Sequence, residues 1–278
     1  MALTPTGQIV DAAAAAGRGV GAFNVIQLEH AEALVAGAER AGAPVVLQIS
    51  ENAVRYHGGL APIGLATLAV ARESSAQVAV HLDHAESPEL VGEAVRLGFT
   101  SVMFDASKLD YAENVRATRE VVLRCHDAGV HVEAELGEVG GKDGVHAPGA
   151  RTDPDQAQEF VAATGVDALA VAVGSSHAML TRDAALDFEL IGRLRARVSV
   201  PLVLHGSSGV PDEDLTKAVD AGMTKINIAT HLNKAFTAAV RAYLSENPSV
   251  VDTRKYLAPG RDAVATEVAR LLGVLRAC

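Results

Sequence analysis

Tryptophan is absent from this chain of 278 residues, and aromatic side chains make up only 4% of it. Base-stacking platforms for nucleic acid therefore have little to be built from. A net charge of −10 also opposes binding to a phosphate backbone, so no nucleic-acid partner is expected. Cysteine is nearly missing: Cys125 sits in a helical run and Cys278 is the last residue. That pair makes no disulfide framework, which fits a cytoplasmic setting. No apolar run approaches the roughly 20 residues that a membrane span needs. The opening MALTPTGQIVDAAAAAGRGV has no basic stretch ahead of an apolar core, so no signal peptide is expected. Linkers and charge blocks are lacking too, and the only low-complexity tract is the alanine run at 12–16. The expectation is one soluble domain, 1–278, with no membrane partner. An anionic substrate would have to be met by a few placed donors.

Short Val-, Ile- and Leu-rich runs alternate with longer Ala/Glu/Arg stretches. Strands are expected near 19–24, 44–50, 77–82, 101–105, 131–136, 167–173, 200–205 and 225–229. Helices are expected near 28–41, 61–74, 88–97, 112–128, 155–163, 186–196, 212–221 and 232–245. The strands are almost continuously apolar, as in a parallel sheet covered on both faces. Glycines that close helices recur before strands, in AGAPVV, LGFTSV, AGVHVE, TGVDAL and AGMTKI. About eight β-then-α units in a chain of this length predict an α/β fold, a (β/α)8 TIM barrel. A further helix at 262–275 lies beyond the eighth unit. The alternative is an open doubly wound sheet, whose GxGxxG fingerprint is absent after the first strand.

A barrel places its chemistry at the C-terminal ends of the strands. QVAVHLDHA ends in His81, Asp83 and His84; DALAVAVGSSHA reaches His177; VPLVLHGSSG reaches His205. Other strand ends supply Asn24, Gln48, Ser50, Asp105, Glu133, Glu135, Asn227 and Thr230. Histidines at three separate strand ends suggest a catalytic metal site with one position open. Asp83 stands beside it as a proton handler. His81 lies inside its strand and reads as a buried supporting group. His30, His57, His126, His131, His146 and His231 fall on helices, loops or strand starts and read as solvated or supporting. Independently, the turn HGSSG after the seventh strand and NIAT after the eighth have the small residues of a phosphate site. The aperiodic loop at 137–154, with paired Gly140 and Gly141 and acidic Glu138 and Asp143, reads as a lid or as a plain surface loop.

Taken together, HLDHA, VEAELGEVGG, SSHAML, VPLVLHGSSGVP, KINIAT and DTRKYLAPGRDAV resemble the class II, zinc-dependent ketose-bisphosphate aldolases, the family of fructose- and tagatose-bisphosphate aldolases. The likeness runs from GAFNV through the last helix. It implies that His84, His177 and His205 hold a catalytic zinc and that Asp83 is the acid/base at the C4 hydroxyl. It implies that Asp105 and Glu135 occupy positions that can bind a second metal near His84. Gly206, Ser208, Asn227 and Thr230 match contacts to the dihydroxyacetone-phosphate half of the substrate. Asn24, Ser50 and Arg254 match contacts to the other half, with Arg254 reaching in from a neighbouring subunit of a homodimer or homotetramer. A monovalent cation, Na+ or K+, often assists near the loops around His177 and His205. The implied reaction is reversible cleavage of a ketose 1,6-bisphosphate through an enediolate whose charge zinc stabilises. A lid carboxylate exchanges the proton at the enediolate carbon.

Two positions depart from the family pattern. Its lid shows GG-x-Glu-Asp, whereas Gly140-Gly141 is followed here by Lys142-Asp143-Gly144, which leaves Asp143 as the lid carboxylate. The glycine that usually follows the second zinc histidine is Ala178. Both bear on which sugar phosphate is used, a ketose monophosphate or deoxy-sugar phosphate included. Three rival readings stay open: a Schiff-base aldolase using Lys225, a metal-dependent hydrolase, and a non-catalytic sugar-phosphate sensor.

Overall fold

The computed structural model describes residues 3–136, 151–177 and 179–278. The first half of the chain runs α1 (Thr6–Ala16), β1 (Val20–Asn24), α2 (Leu28–Ala41), β2 (Val45–Ser50), α3 (Glu51–His57), α4 (Leu60–Glu73) and β3 (Val78–Ala85). It continues α5 (Pro88–Leu97), β4 (Ser101–Phe104), α6 (Tyr111–Asp127), β5 (His131–Leu136), α7 (Pro154–Thr164) and β6 (Ala168–Val171). The last part is α8 (Phe188–Arg197), β7 (Leu202–Leu204), α9 (Asp212–Ala221), β8 (Met223–Ile228), α10 (Thr230–Glu246) and α11 (Thr253–Val274). Every strand pairs parallel to the next, and β8 returns to β1 to close the barrel. The expected (β/α)8 fold with an extra C-terminal helix is what the chain adopts. No helix among the described residues is long and apolar enough to cross a membrane.

The helix boundaries follow local chemistry. Side chains of Ser50, Ser87, Asp110, Asp153, Asp187 and Asp252 each accept a backbone N–H at a helix start. Gly42, Gly98 and Gly165 close α2, α5 and α7 in the left-handed conformation, as the sequence pattern predicts. Three elements differ from the sequence-based expectation. α1 contains the alanine run at 12–16, and α3, with 7 residues, makes only about two turns and is too short to show a period. α11 starts at Thr253, well ahead of the expected 262, and runs through Pro259. Proline removes one helical hydrogen bond there. Packing overrides the loss: a Cβ on Gly260 would lie 2.8 Å from the Phe236 ring, so the two helices touch backbone to ring.

Besides a small cluster of Ala168, Ala170 and Val203 in β6 and β7, two apolar regions among the described residues hold the barrel. The larger lies between strands and helices, around Phe23, Leu34, Leu47, Leu68, Leu82, Phe160 and Leu169. The smaller closes the barrel floor, where Ile9 and Ala13 of α1 meet Val20, Ala22, Val46 and Ala79. Strand registers set the layers above that floor. Gln48 is level with His81, Ser50 with Asp83, Met103 with Glu133, and Ala22 with Asn227. Alternation along each strand therefore stacks polar side chains inside the upper half of the barrel.

Candidate active site and metal centre

His81 and Asp83 face inward by alternation, so the next residue, His84, should face out. A register shift between Leu82 and Ala85 intervenes, and His84 takes φ 51. A left-handed non-glycine residue costs about 1–3 kcal/mol and persists only where its surroundings hold it. Here Asp105 holds it, with Nδ1 of His84 2.8 Å from Oδ2. The bulge is the device that lets adjacent residues Asp83 and His84 line the same cavity.

His177, on the loop after β6, and His205, just past β7, complete the group. Their ring centroids lie 5.3 and 4.7 Å from that of His84 and 5.7 Å from each other. One nitrogen from each of the three rings falls within 4.8 Å of the others. Three imidazoles with an open side toward a cavity are a donor set that fits zinc. His84, Asp105 and Glu135 form a second set of ligand atoms with the same closeness.

His205 is fully buried, with Nε2 2.9 Å from Glu133 Oε1 and Nδ1 3.1 Å from Glu135 Oε2. Burial alone would lower its pKa, but the two carboxylates outweigh it and push the ring up to about 10 in the metal-free protein. Metal binding therefore displaces a proton from this imidazole. Below it, Lys225 pairs with Glu133 at 2.8 Å and donates to Asn227 Oδ1 at 2.9 Å. Asn227 in turn donates to Asp83 at 3.5 Å. Burial pushes the Asp83 carboxyl up, yet the charges of His84, Lys225 and His205 hold it below its usual range. It stays ionised, as a proton acceptor must. His81 is buried as expected. Desolvation, reinforced by Lys225, lowers it to about 3, so a neutral ring meets Ser101 Oγ at 2.7 Å.

The turn after β7 begins at Gly206, with φ 67. A Cβ there would also meet the backbone of Ser176 at 2.6–2.8 Å, where the His177 loop crosses. Ser208 Oγ accepts N–H groups of Ala229 and His231 at 3.2 and 3.3 Å, tying the turn to the start of α10. Gly206→Ala is expected to destabilise the protein by more than ~1 kcal/mol, through positive-φ strain plus the clash. Urea melts of variant and wild type check this, and an unchanged midpoint would refute the packing argument.

Asn24, Ser50, Asp83, His84, His177, Gly206, Ser208, Asn227 and Thr230 all line one cavity. His205, Asp105 and Glu135 are buried beside it. Arg254 does not line it: the side chain is 89% exposed and its Nε and Nη2 donate to Asp252. Asp143, Glu138, His146 and Ala178 lie outside the described residues. The sequence marks Gln48 as a strand end but not as a contact. It lines the cavity, donates to Asn24 at 2.8 Å, and its buried Oε1 has no hydrogen-bond partner among the described residues. Its i,i+2 relation to Ser50 was the available signal, as Glu133's was to Glu135. Arg55, Asn52, Glu51 and Glu86 also line the cavity, and no sequence pattern marked them.

A closed parallel barrel with a three-histidine centre and an ionised buried acid at its C-terminal rim defines a metal-dependent barrel enzyme. The profile of the family "Fructose-bisphosphate aldolase class-II" matches residues 4–278. A fructose-bisphosphate aldolase of Geobacillus stearothermophilus is 43% identical over 253 residues, covering 90% of this chain and 88% of that protein. One from Thermus caldophilus is 42% identical, covering 92% of each. The crystal structure of the YdjI aldolase from Escherichia coli K12 superposes with a TM-score of 0.87 at 33% identity, covering 99% of this chain and 98% of that one. The chain belongs to the class II, metal-dependent fructose-bisphosphate aldolase family. It is an aldehyde-lyase that uses a bound metal.

Proposed function

We propose that the chain, acting as one domain over 1–278, cleaves a ketose 1,6-bisphosphate of the fructose or tagatose type to dihydroxyacetone phosphate and glyceraldehyde 3-phosphate, and runs the reverse condensation. The observation that carries this reading is the convergence of His84, His177, His205 and ionised Asp83 on a cavity that also holds the Gly206–Ser208 turn. Zinc, when bound by the three histidines, supplies a Lewis acid for the negative charge left on the dihydroxyacetone-phosphate fragment. Asp83 takes the C4 hydroxyl proton as the C3–C4 bond breaks and returns it in condensation. Asn227 orients that carboxylate. Gly206, Ser208, Asn227 and Thr230 hold the near phosphate through backbone N–H and hydroxyl donors, and Asn24 and Ser50 hold the far half. Asp143, from the lid, exchanges the proton at the enediolate carbon.

The same reading takes Asp105 and Glu135 as a second metal position with His84. It adds a monovalent cation, Na+ or K+, near the His177 and His205 loops. It takes the protein as a cytoplasmic homodimer or homotetramer in which Arg254 serves a neighbouring site. α10 supports assembly, since Leu232 is its one buried residue. Lys225 speaks against the Schiff-base reading: it is locked to Glu133 and does not line the cavity.

The test is a coupled assay over a panel of ketose bisphosphates and monophosphates. A chelator is expected to abolish activity, zinc to restore it, and glyceraldehyde 3-phosphate rather than inorganic phosphate to be released. Borohydride trapping with substrate in the absence of metal would overturn the reading.

A further inference from the structure

The substrate proposed above carries a phosphate at each end, and the turn after β7 accounts for one of them. The opposite wall of the cavity is acidic, with Glu51 and Glu86, and the whole chain carries −10. A second phosphate entering there meets carboxylates unless a cation stands in front of them. Among the described residues that line the cavity, one side chain is permanently cationic, and it is Arg55.

Arg55 sits in the last turn of α3, the helix capped by Ser50. Its side chain is 62% exposed but tethered. Nη2 donates to Glu51 Oε1 at 2.6 Å and Nη1 to Asn52 Oδ1 at 3.2 Å. Glu51 is itself pinned, accepting the backbone N–H of Glu86 at 2.7 Å. The guanidinium has five N–H donors in a rigid fork, so these bonds leave three for a ligand. Glu51 offsets part of the positive charge, but the free edge of the fork still favours a phosphate over a neutral hydroxyl or an aldehyde. Arg254 in the same protomer spends its fork on Asp252.

We propose that Arg55 is a specificity-determining residue, supplied by the same protomer that binds the metal, that recognises the distal phosphate of the substrate. The proposal rests on the ketose-bisphosphate reading. Planar pairing of guanidinium with phosphate oxygens is the chemistry involved. Asn52 and Glu51 position the fork.

The experiment compares kcat/KM for a ketose 1,6-bisphosphate with that for the matching ketose 1-phosphate, in zinc-loaded wild type, Arg55→Gln and Arg55→Lys. Because charge-assisted bonds are involved, the bisphosphate-to-monophosphate ratio is expected to fall about 10–100-fold in R55Q, through KM. R55K, which keeps the charge without the fork, is expected to fall between. Zinc content and circular dichroism show that metal centre and fold are intact in each variant. A wild type without preference for the bisphosphate overturns both the substrate reading and this inference. A preference that survives in R55Q but vanishes in Arg254→Gln assigns the distal phosphate to the neighbouring subunit and overturns the role of Arg55 alone.

Discussion

Asp83→Asn is expected to lower kcat for cleavage by about 10²–10⁴-fold, the range for removal of a positioned general base. The amide keeps the shape of the side chain and can still accept from Asn227, so the metal histidines should stay in place. Zinc stoichiometry, read by mass spectrometry, is therefore expected to match wild type. The diagnostic measurement is a partial reaction. On the proposed mechanism, exchange of the carbon-bound proton of dihydroxyacetone phosphate with D2O needs the metal and Asp143, but no C4 hydroxyl. NMR should show this exchange falling far less than cleavage. Equal loss of both in a fully zinc-loaded variant would remove Asp83 from its assigned role. The environment of Asp83 explains why a fully buried carboxylate can do this work. His84, Lys225 and His205 surround it, and their charge outweighs the cost of desolvation.

The second large effect is on stability. Glu133 carries one carboxylate between two cations: Oε2 lies 2.8 Å from Lys225, and Oε1 lies 2.9 Å from His205 Nε2. Burial opposes its charge, but Lys225 and the histidines hold the carboxyl well below its usual range. Glu133→Ala would leave Lys225 without its counter-ion at 1% exposure. Breaking a buried pair this way costs about 3–5 kcal/mol. For a chain of this size the expected drop in Tm is on the order of 10 °C, measured by calorimetry on metal-free protein. Zinc affinity should weaken as well, by about 10–100-fold, because His205 loses the group that orients its ring. A competitive chelator titration reads this. The double variant Glu133→Leu, Lys225→Met should recover much of the stability but not the zinc affinity, since apolar replacement removes the lone charge and still leaves His205 unoriented. A Glu133→Ala protein with wild-type Tm and zinc affinity would show that this network is idle.

Much of this site is legible without coordinates, and the parts that are not share a cause. His84, His177 and His205 stand out because each is a polar residue ending an apolar strand, and barrel strands end on one rim. Glu133 and Lys225 were visible as charges on strands, but their pairing joins β5 to β8 across the barrel interior. Only closure of the sheet brings them within 2.8 Å. Arg55 was invisible because α3 is short and amphipathic periodicity needs more turns to show. The start of α11 was misplaced because Pro259 is a local stop signal, and packing against Phe236 overrules it.

What the sequence determined alone was the order of strands and helices, the inward parity of each strand, and a metal-and-acid chemistry on one rim. Those follow from side-chain alternation and the hydrophobic pattern, which are local. The tertiary structure decided that Asp83 and His84, neighbours that alternation sends to opposite faces, share one cavity. The bulge after Leu82 and the 2.8 Å contact to Asp105 do this, and both depend on β4 lying alongside β3. It also decided which buried charges neutralise one another, because that depends on distance across the barrel and not along the chain.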